Sequence, residues 1–240
     1  MIQYILMICA ALAPAVILTY MIVKRDEFEP EPVKWLLGSA ALGVVAAACS
    51  VIAVMFTLPD FEVDTVGGAF VDAFCRAAIP EECFKMLMLF IVAKNCEKFN
   101  ERFDGIIYAV CIGMGFAGIE NILYLFEAGS GWVFTGVLRA FISVPAHYFF
   151  AIIMGAFFSL AWFDQRNRMR NAMLALALPV CAHGLFDAML FSVPVLEWGS
   201  AIVVVAFFVF FKRMRLYAAS LVERQIDLDR ARIGNTFPNS

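Results

Sequence analysis

Charge is scarce in this chain. Asp, Glu, Lys and Arg make up 16% of its 240 residues, where a soluble globular domain carries about 25%. With 63% of residues hydrophobic, a water-soluble fold is excluded and a lipid-embedded one is expected. No CxxC spacing occurs among the seven cysteines, which argues against a zinc–thiolate site or a disulfide framework. Cys9, Cys49, Cys83, Cys111 and Cys181 fall inside apolar runs and read as small packing residues. There is no HExxH, no serine or cysteine placed suggestively beside a histidine, and no pair of aspartates on separate apolar runs. Internal repeats and low-complexity segments are also missing, and no nucleic-acid partner is expected. The first apolar run lacks a basic segment before it; Lys24 and Arg25 follow it instead. That order is wrong for a cleaved signal peptide and right for a first membrane helix.

What is present is a series of runs near the ~20 residues that cross a hydrocarbon core. Seven candidates span residues 2–23, 33–57, 68–93, 105–126, 132–162, 171–192 and 196–211. The expected fold class is all-α, a polytopic membrane bundle of about seven transmembrane helices. The third and fifth runs are long and are expected to tilt, or to kink near Pro80 and Pro145. Two readings fit residues 61–78: part of the third span, or a separate interfacial or re-entrant helix leading to Pro80. All but three of the 18 basic residues lie after runs one, three and five or in the tail. The connections around Asp60-Glu62-Asp64, Glu127 and Glu197 carry none. This asymmetry places the N-terminus outside and the C-terminus in the cytoplasm. One transmembrane domain is expected over 1–211, with a catalytic core near 75–192. Residues 212–240 are expected to be a basic cytoplasmic tail, its first half continuing span seven as a solvated helix and the rest partly disordered.

Into these runs the chain places a small set of ionisable groups. A charge at membrane depth costs roughly 2.5–3.5 kcal/mol, so such groups usually mark function. Glu81, Glu82 and Lys85 open the apolar run from Met86 to Val92; Glu120 and Asn121 lie in the fourth run, Arg139 and His147 in the fifth, His183 and Asp187 in the sixth. Both histidines of the chain are therefore inside the membrane. Counting ~1.5 Å per residue from the basic ends puts Glu82, Glu120, His147, His183 and Asp187 in one layer about 16–24 Å up. Convergence on one level argues for one site. Helical spacing lets Asp187 orient His183 and lets Lys85 pair with Glu81 or Glu82. Arg139 reads as a snorkelling or helix-pairing residue. Tyr124 and Trp132 suit an interfacial aromatic belt, and Phe116 suits packing. Carboxylates and imidazoles in a dry layer suit peptide hydrolysis, with a glutamate as base for water and a histidine as oxyanion donor. They also suit a divalent ion such as zinc, with Glu81, Glu120, His147 and His183 as candidate ligands. A proton- or ion-coupled transporter and a non-catalytic scaffold of the same fold are the alternatives.

Together, Glu81-Glu82-x-x-Lys85, Phe116-x-x-x-Glu120-Asn121, mid-span His147 and His183-x-x-x-Asp187 resemble the PrsW family of intramembrane proteases. That family shares a superfamily with the CAAX-prenyl proteases and bacteriocin-immunity proteins, whose patterns are EExxxR, FxxxH and HxxxN or HxxxD. The resemblance implies a multi-helix endopeptidase of the bacterial cytoplasmic membrane, often described as glutamate-dependent. Its substrate would be a membrane-anchored protein of the anti-sigma-factor kind. It implies Glu81 and Glu120 as water-activating groups, and His183, supported by Asp187, as oxyanion stabiliser. Glu82 and Lys85 would tune Glu81, with Asn121 and His147 in support; rotation of the helix would exchange Glu81 and Glu82. Glu120 stands where the prenyl-protease branch has histidine, which leaves a bound metal open.

Overall fold

The computed structural model describes residues 2–58, 63–196 and 199–236. Asp60, Glu62, Glu197 and residues 237–240, which entered the topology and tail expectations, lie outside them. The described residues form nine α-helices and no strand. These are α1 Ile2–Val23, α2 Val33–Thr57, α3 Val66–Val71, α4 Ile79–Asn95, α5 Arg102–Glu127, α6 Trp132–Phe141, α7 Ser143–Phe163, α8 Arg168–Ser192 and α9 Ser200–Thr236. By length and composition, α1, α2, α5, the α6–α7 unit and α8 can each cross a membrane. The chain is an all-α, multi-pass membrane protein.

α5 is the central post. It packs against α1, α2, α4 and α7 and buries nearly every residue from Phe103 to Gly118. Missing side chains permit this closeness. A Cβ on Gly155 of α7 would stand 2.3 Å from the Gly105 carbonyl oxygen, and one on Gly43 of α2 would stand 2.0 Å from that of Ile112. In lipid, where apolar surface alone gives helices no reason to associate, such backbone contact supplies the packing.

Both expected distortions are present, each with its own form. Residues 72–78 join α3 to α4 as a π-helix, closed by the Ile79 amide donating to the Phe74 carbonyl five residues back. The helix therefore runs on from Val66 to Asn95, and of the two readings for residues 61–78, the described part from Val66 onward belongs to the helix that continues into α4. The widened turn falls just before Pro80, which has no N–H to donate to an α-type ladder. The fifth run breaks at Ile142, whose φ of −120° and ψ of −66° leave the helical region. Pro145 explains this, since its ring opposes the carbonyl four residues back, that of Phe141.

The last span continues as a helix into the tail, as expected, but that helix is not solvated. The boundary drawn at residue 211 falls inside α9, a single helix to Thr236. Met214, Ala218, Leu221, Val222 and Ile226 are buried, so this stretch docks rather than standing in solvent. Gln225 Nε2 donates to the Ala156 carbonyl at 3.1 Å. Asp229, 1% exposed, accepts from the Arg102 and Phe103 amides at 3.0 and 2.9 Å. These are first-turn donors of α5 that have no partner within the helix.

At the same end of the bundle Glu101 precedes α5. Burial, then the Asp229, Asp26 and Glu29 carboxylates, push its carboxyl from 4.5 up to about 7. The folded chain thus holds a proton that the unfolded chain releases between those values. Its contribution is unpenalised below pH 4.5, weakens as pH rises to about 7, and is constant above. Thermal unfolding in detergent is expected to show a midpoint that falls across this window, and Glu101→Gln should flatten the fall.

Candidate active site

Helix geometry assembles the site from four elements. Glu81 and Glu82 lie in the first turn of α4, one helical turn before Lys85. The lysine Nζ stands 3.2 Å from Glu81 Oε2 and 2.8 Å from Glu82 Oε1. It also reaches His147 Nδ1 on α7 at 3.3 Å and lies 3.9 Å from the centre of the Phe116 ring. The lysine therefore meets two carboxylates, an imidazole and an aromatic face, an enclosure that holds a cation without water.

Beyond it, His183 of α8 accepts or donates at both nitrogens. Nδ1 lies 2.9 Å from Glu82 Oε1, and Nε2 lies 3.1 Å from Asp187 Oδ2 and 3.9 Å from Glu81 Oε2. Phe150 stacks on this imidazole at 4.8 Å between centroids, which fixes the ring plane. The i,i+4 pairing expected of His183 and Asp187 is present. So are both lysine pairings.

Glu120 does something the sequence did not indicate. Its Oε2 lies 3.0 Å from His147 Nε2 and 2.9 Å from Arg139 Nη2. Arg139 Nε also donates to Asn121 Oδ1 at 2.8 Å, and Asn121 Nδ2 donates to the Ala11 carbonyl of α1 at 2.8 Å. Tyr124, expected in an interfacial belt, lies under the Arg139 guanidinium at 4.0 Å. Arg139, expected to snorkel or to pair helices, does the second: it ties α6 to Glu120 and Asn121 of α5. The available signal was its depth: an arginine inside a span needs an anion, and Glu120 lies near the same level. Because one guanidinium spans two different acceptors, Arg139→Lys should keep the charge and lose the two-point hold. Turnover is expected to fall about tenfold with KM little changed and the protein still folded. Arg139→Ala should fall further.

The metal-ligand expectation needs one correction. Glu81, Glu82, His147 and His183 offer ligand atoms that all lie within 4.8 Å of one another. Glu82 takes the place expected of Glu120, which is engaged behind His147 by its salt bridge to Arg139. The donor set, two imidazoles and two carboxylates, is one that zinc accepts. Glu82 Oε2 is fully buried with no hydrogen-bond partner among the described residues, a vacancy of bonding that a cation would fill. The residues therefore fit a divalent ion. Lys85 faces three of the four ligands, and His147 Nδ1 has one lone pair, so an ion bound there requires the ammonium to turn away.

A layer of largely buried carboxylates and imidazoles between membrane helices defines a class, the membrane protein with its chemistry inside the bundle. Comparison with known proteins makes this specific. Residues 31–213 match the family described as PrsW family intramembrane metalloprotease. "Protease PrsW" of Oceanobacillus iheyensis is 35% identical over 185 residues, covering 75% of this chain and 81% of the relative. "Protease PrsW" of Bacillus subtilis is 34% identical over 185 residues, with 76% and 82% covered. That of Geobacillus kaustophilus is 32% identical over 194 residues, with 80% and 82% covered. No solved structure matches. The chain belongs to the PrsW family of intramembrane metalloproteases, and the peptidase reading replaces the transporter and scaffold alternatives.

Proposed function

We propose that the chain hydrolyses a peptide bond in a membrane-anchored protein, of the anti-sigma-factor kind implied by the family resemblance. The reaction takes place among Glu81, Glu82, His147 and His183, in the outer half of the bilayer, with the C-terminus cytoplasmic. The observation that carries this reading is the clustering of four ligand atoms within 4.8 Å at the wall of a 380 Å³ cleft that Glu81 lines.

Exposure divides the two glutamates. Glu82 has no exposed surface and is spent on Lys85 and His183. Glu81 has a side chain 14% exposed and borders the cleft, so Glu81 is the base. Its carboxylate takes the proton of a water as the water oxygen bonds to the scissile carbonyl carbon. It then passes that proton to the amide nitrogen as the C–N bond breaks. His183 Nε2 lies 3.1 Å from Asp187 Oδ2 and 3.9 Å from Glu81 Oε2, so its N–H is shared between Asp187, which steadies the imidazole, and the oxyanion that forms beside Glu81. Lys85 pairs with Glu82 Oε1 at 2.8 Å. Glu120 acts through His147: accepting a hydrogen bond at Nε2 leaves the Nδ1 lone pair directed into the cluster. An ion held by Glu82, His147 and His183 would polarise the carbonyl and acidify a water, with Glu81 beside it left to act as the base.

Elemental analysis of the purified protein, paired with cleavage of a single-span substrate in proteoliposomes, tests this. One divalent ion per chain is expected, with cleavage lost to a chelator and restored by zinc. His147→Ala and His183→Ala should each lose the ion. Full cleavage by an ion-free chain would remove the ion and leave a glutamate-only mechanism on the same residues. Full cleavage after both Glu81→Gln and Glu120→Gln would overturn the reading.

A further inference from the structure

Two helices that share one support leave a space between them. α1 and α2 each pack on α5 and barely touch each other. Between them runs an open groove of 550 Å³ with a largely apolar lining. It extends from Leu12 to Val23 along α1 and from Val33 to Val44 along α2. Each stretch is about 16 Å of helix, close to half of the ~30 Å hydrocarbon core, the depth of one leaflet. The floor is α5, and it is closed to a further helix. Gly115 and Gly118 could let another backbone approach, but they already receive Ala40 of α2 and Leu12 of α1. A Cβ on them would stand 2.0 Å from the Ala40 carbonyl oxygen and 3.0 Å from Leu12 Cδ2.

Positive charge stands at one end of this groove. Val23 and Val33 line that end, and each is followed by an exposed lysine, Lys24 and Lys34. Lys24 Nζ leans back to 5.4 Å from the centre of the Tyr20 ring, itself part of the groove wall. The acids of the same connection are engaged elsewhere. Glu27 pairs with Arg230 at 2.8 Å, Glu29 pairs with Lys98, and Glu31 is buried against the Tyr108 hydroxyl. Asp26 is half-buried and faces the Phe28 and Glu29 amides. Arg25 turns to Glu223 at 2.7 Å. Among the described residues, Lys24 and Lys34 have no ion-pair partner.

We infer that the groove holds an acyl chain of an anionic phospholipid from the leaflet at this basic end, with Lys24 and Lys34 meeting its headgroup. An apolar slot one leaflet deep and two unpaired cations at its mouth match the two halves of such a molecule. Unfilled space would forfeit dispersion contacts along the whole lining, and a methylene chain restores them. Each lysine near the membrane surface favours an anionic headgroup about fivefold, and the two together about thirtyfold. Seated there, the lipid joins α2 to α1 and braces the helix whose Ala11 carbonyl accepts from Asn121.

Native mass spectrometry of the delipidated full-length chain tests this, with phosphatidylglycerol or phosphatidylcholine of the same acyl chains as the probe. One phosphatidylglycerol per chain should bind about thirtyfold more tightly than phosphatidylcholine. Lys24→Gln and Lys34→Gln should each weaken phosphatidylglycerol about fivefold and leave phosphatidylcholine unmoved. Arg168→Gln, which removes a charge from α8, should change neither by more than twofold. Ala41→Trp fills the groove from an exposed position and should weaken both lipids at least tenfold; Val16→Phe serves should that variant fail to fold. Equal affinity for the two lipids, or phosphatidylglycerol binding unmoved by both lysine variants, would overturn the inference. So would binding that survives the filled groove, or displacement of the lipid by a single-span peptide.

Discussion

Glu81→Gln is expected to lower the turnover of a single-span substrate by about 10²- to 10⁴-fold while leaving KM and the unfolding midpoint nearly unchanged. Glutamine keeps the shape and can still accept from Lys85, which holds Glu81 at 3.2 Å and Glu82 at 2.8 Å. What it cannot do is take a proton from water. Glu82→Gln should behave in the opposite way. Glu82 is wholly buried and neutralises both Lys85 and His183, so its amide leaves two polar groups short of an anion and the protein loses stability. The paired outcome, activity lost with stability kept for one and stability lost for the other, is measured by cleavage rate and by denaturation in detergent. Equal behaviour of the two variants would contradict the division of roles.

Lys85→Met is expected to destabilise the folded protein by about 3–5 kcal/mol, the usual cost of removing one partner from a buried ion pair. Methionine fills the space over the Phe116 ring but leaves Glu82 facing His183 alone. Lys85→Arg should fare better on charge and worse on fit, because the ammonium serves three acceptors from one point. Divalent-ion affinity gives a second measurement. With the ammonium gone, protein that still folds should bind zinc more tightly, since the competing cation at His147 Nδ1 has been removed.

The parts of this site legible in the sequence were those that one helix carries by itself. Glu81, Glu82 and Lys85 share a turn, as do His183 and Asp187, and the spacing alone brings them into contact. The depth count placed Glu120 and His147 near the same level, and they meet at 3.0 Å. Depth carries no azimuth, however, so it could not tell that Glu120 would turn toward Arg139 and that Glu82 would enter the ligand cluster. The kink near Pro145 was readable because proline removes a donor and crowds a carbonyl. The π-helix over Asp72–Ala78 was not, since its extra residue per turn leaves no compositional mark. α9 was misread beyond residue 211 because its charges drew attention from a stripe. Met214, Ala218, Leu221, Val222, Gln225, Ile226 and Asp229 recur at three- and four-residue steps and are all buried.

That stripe bears on the order in which the protein can be completed. α5 carries Glu120 and is the post on which the other helices rest, yet its first-turn amides close on Asp229, 127 residues later in the chain. During synthesis α5 enters the membrane long before its clasp exists, and until α9 arrives those amides are left to water. The first turn of the central helix therefore gains its side-chain acceptor only with α9, the last of the described helices. The clasp lies at the opposite end of α5 from Glu120, so assembly can be delayed there without placing any further group among the reacting atoms.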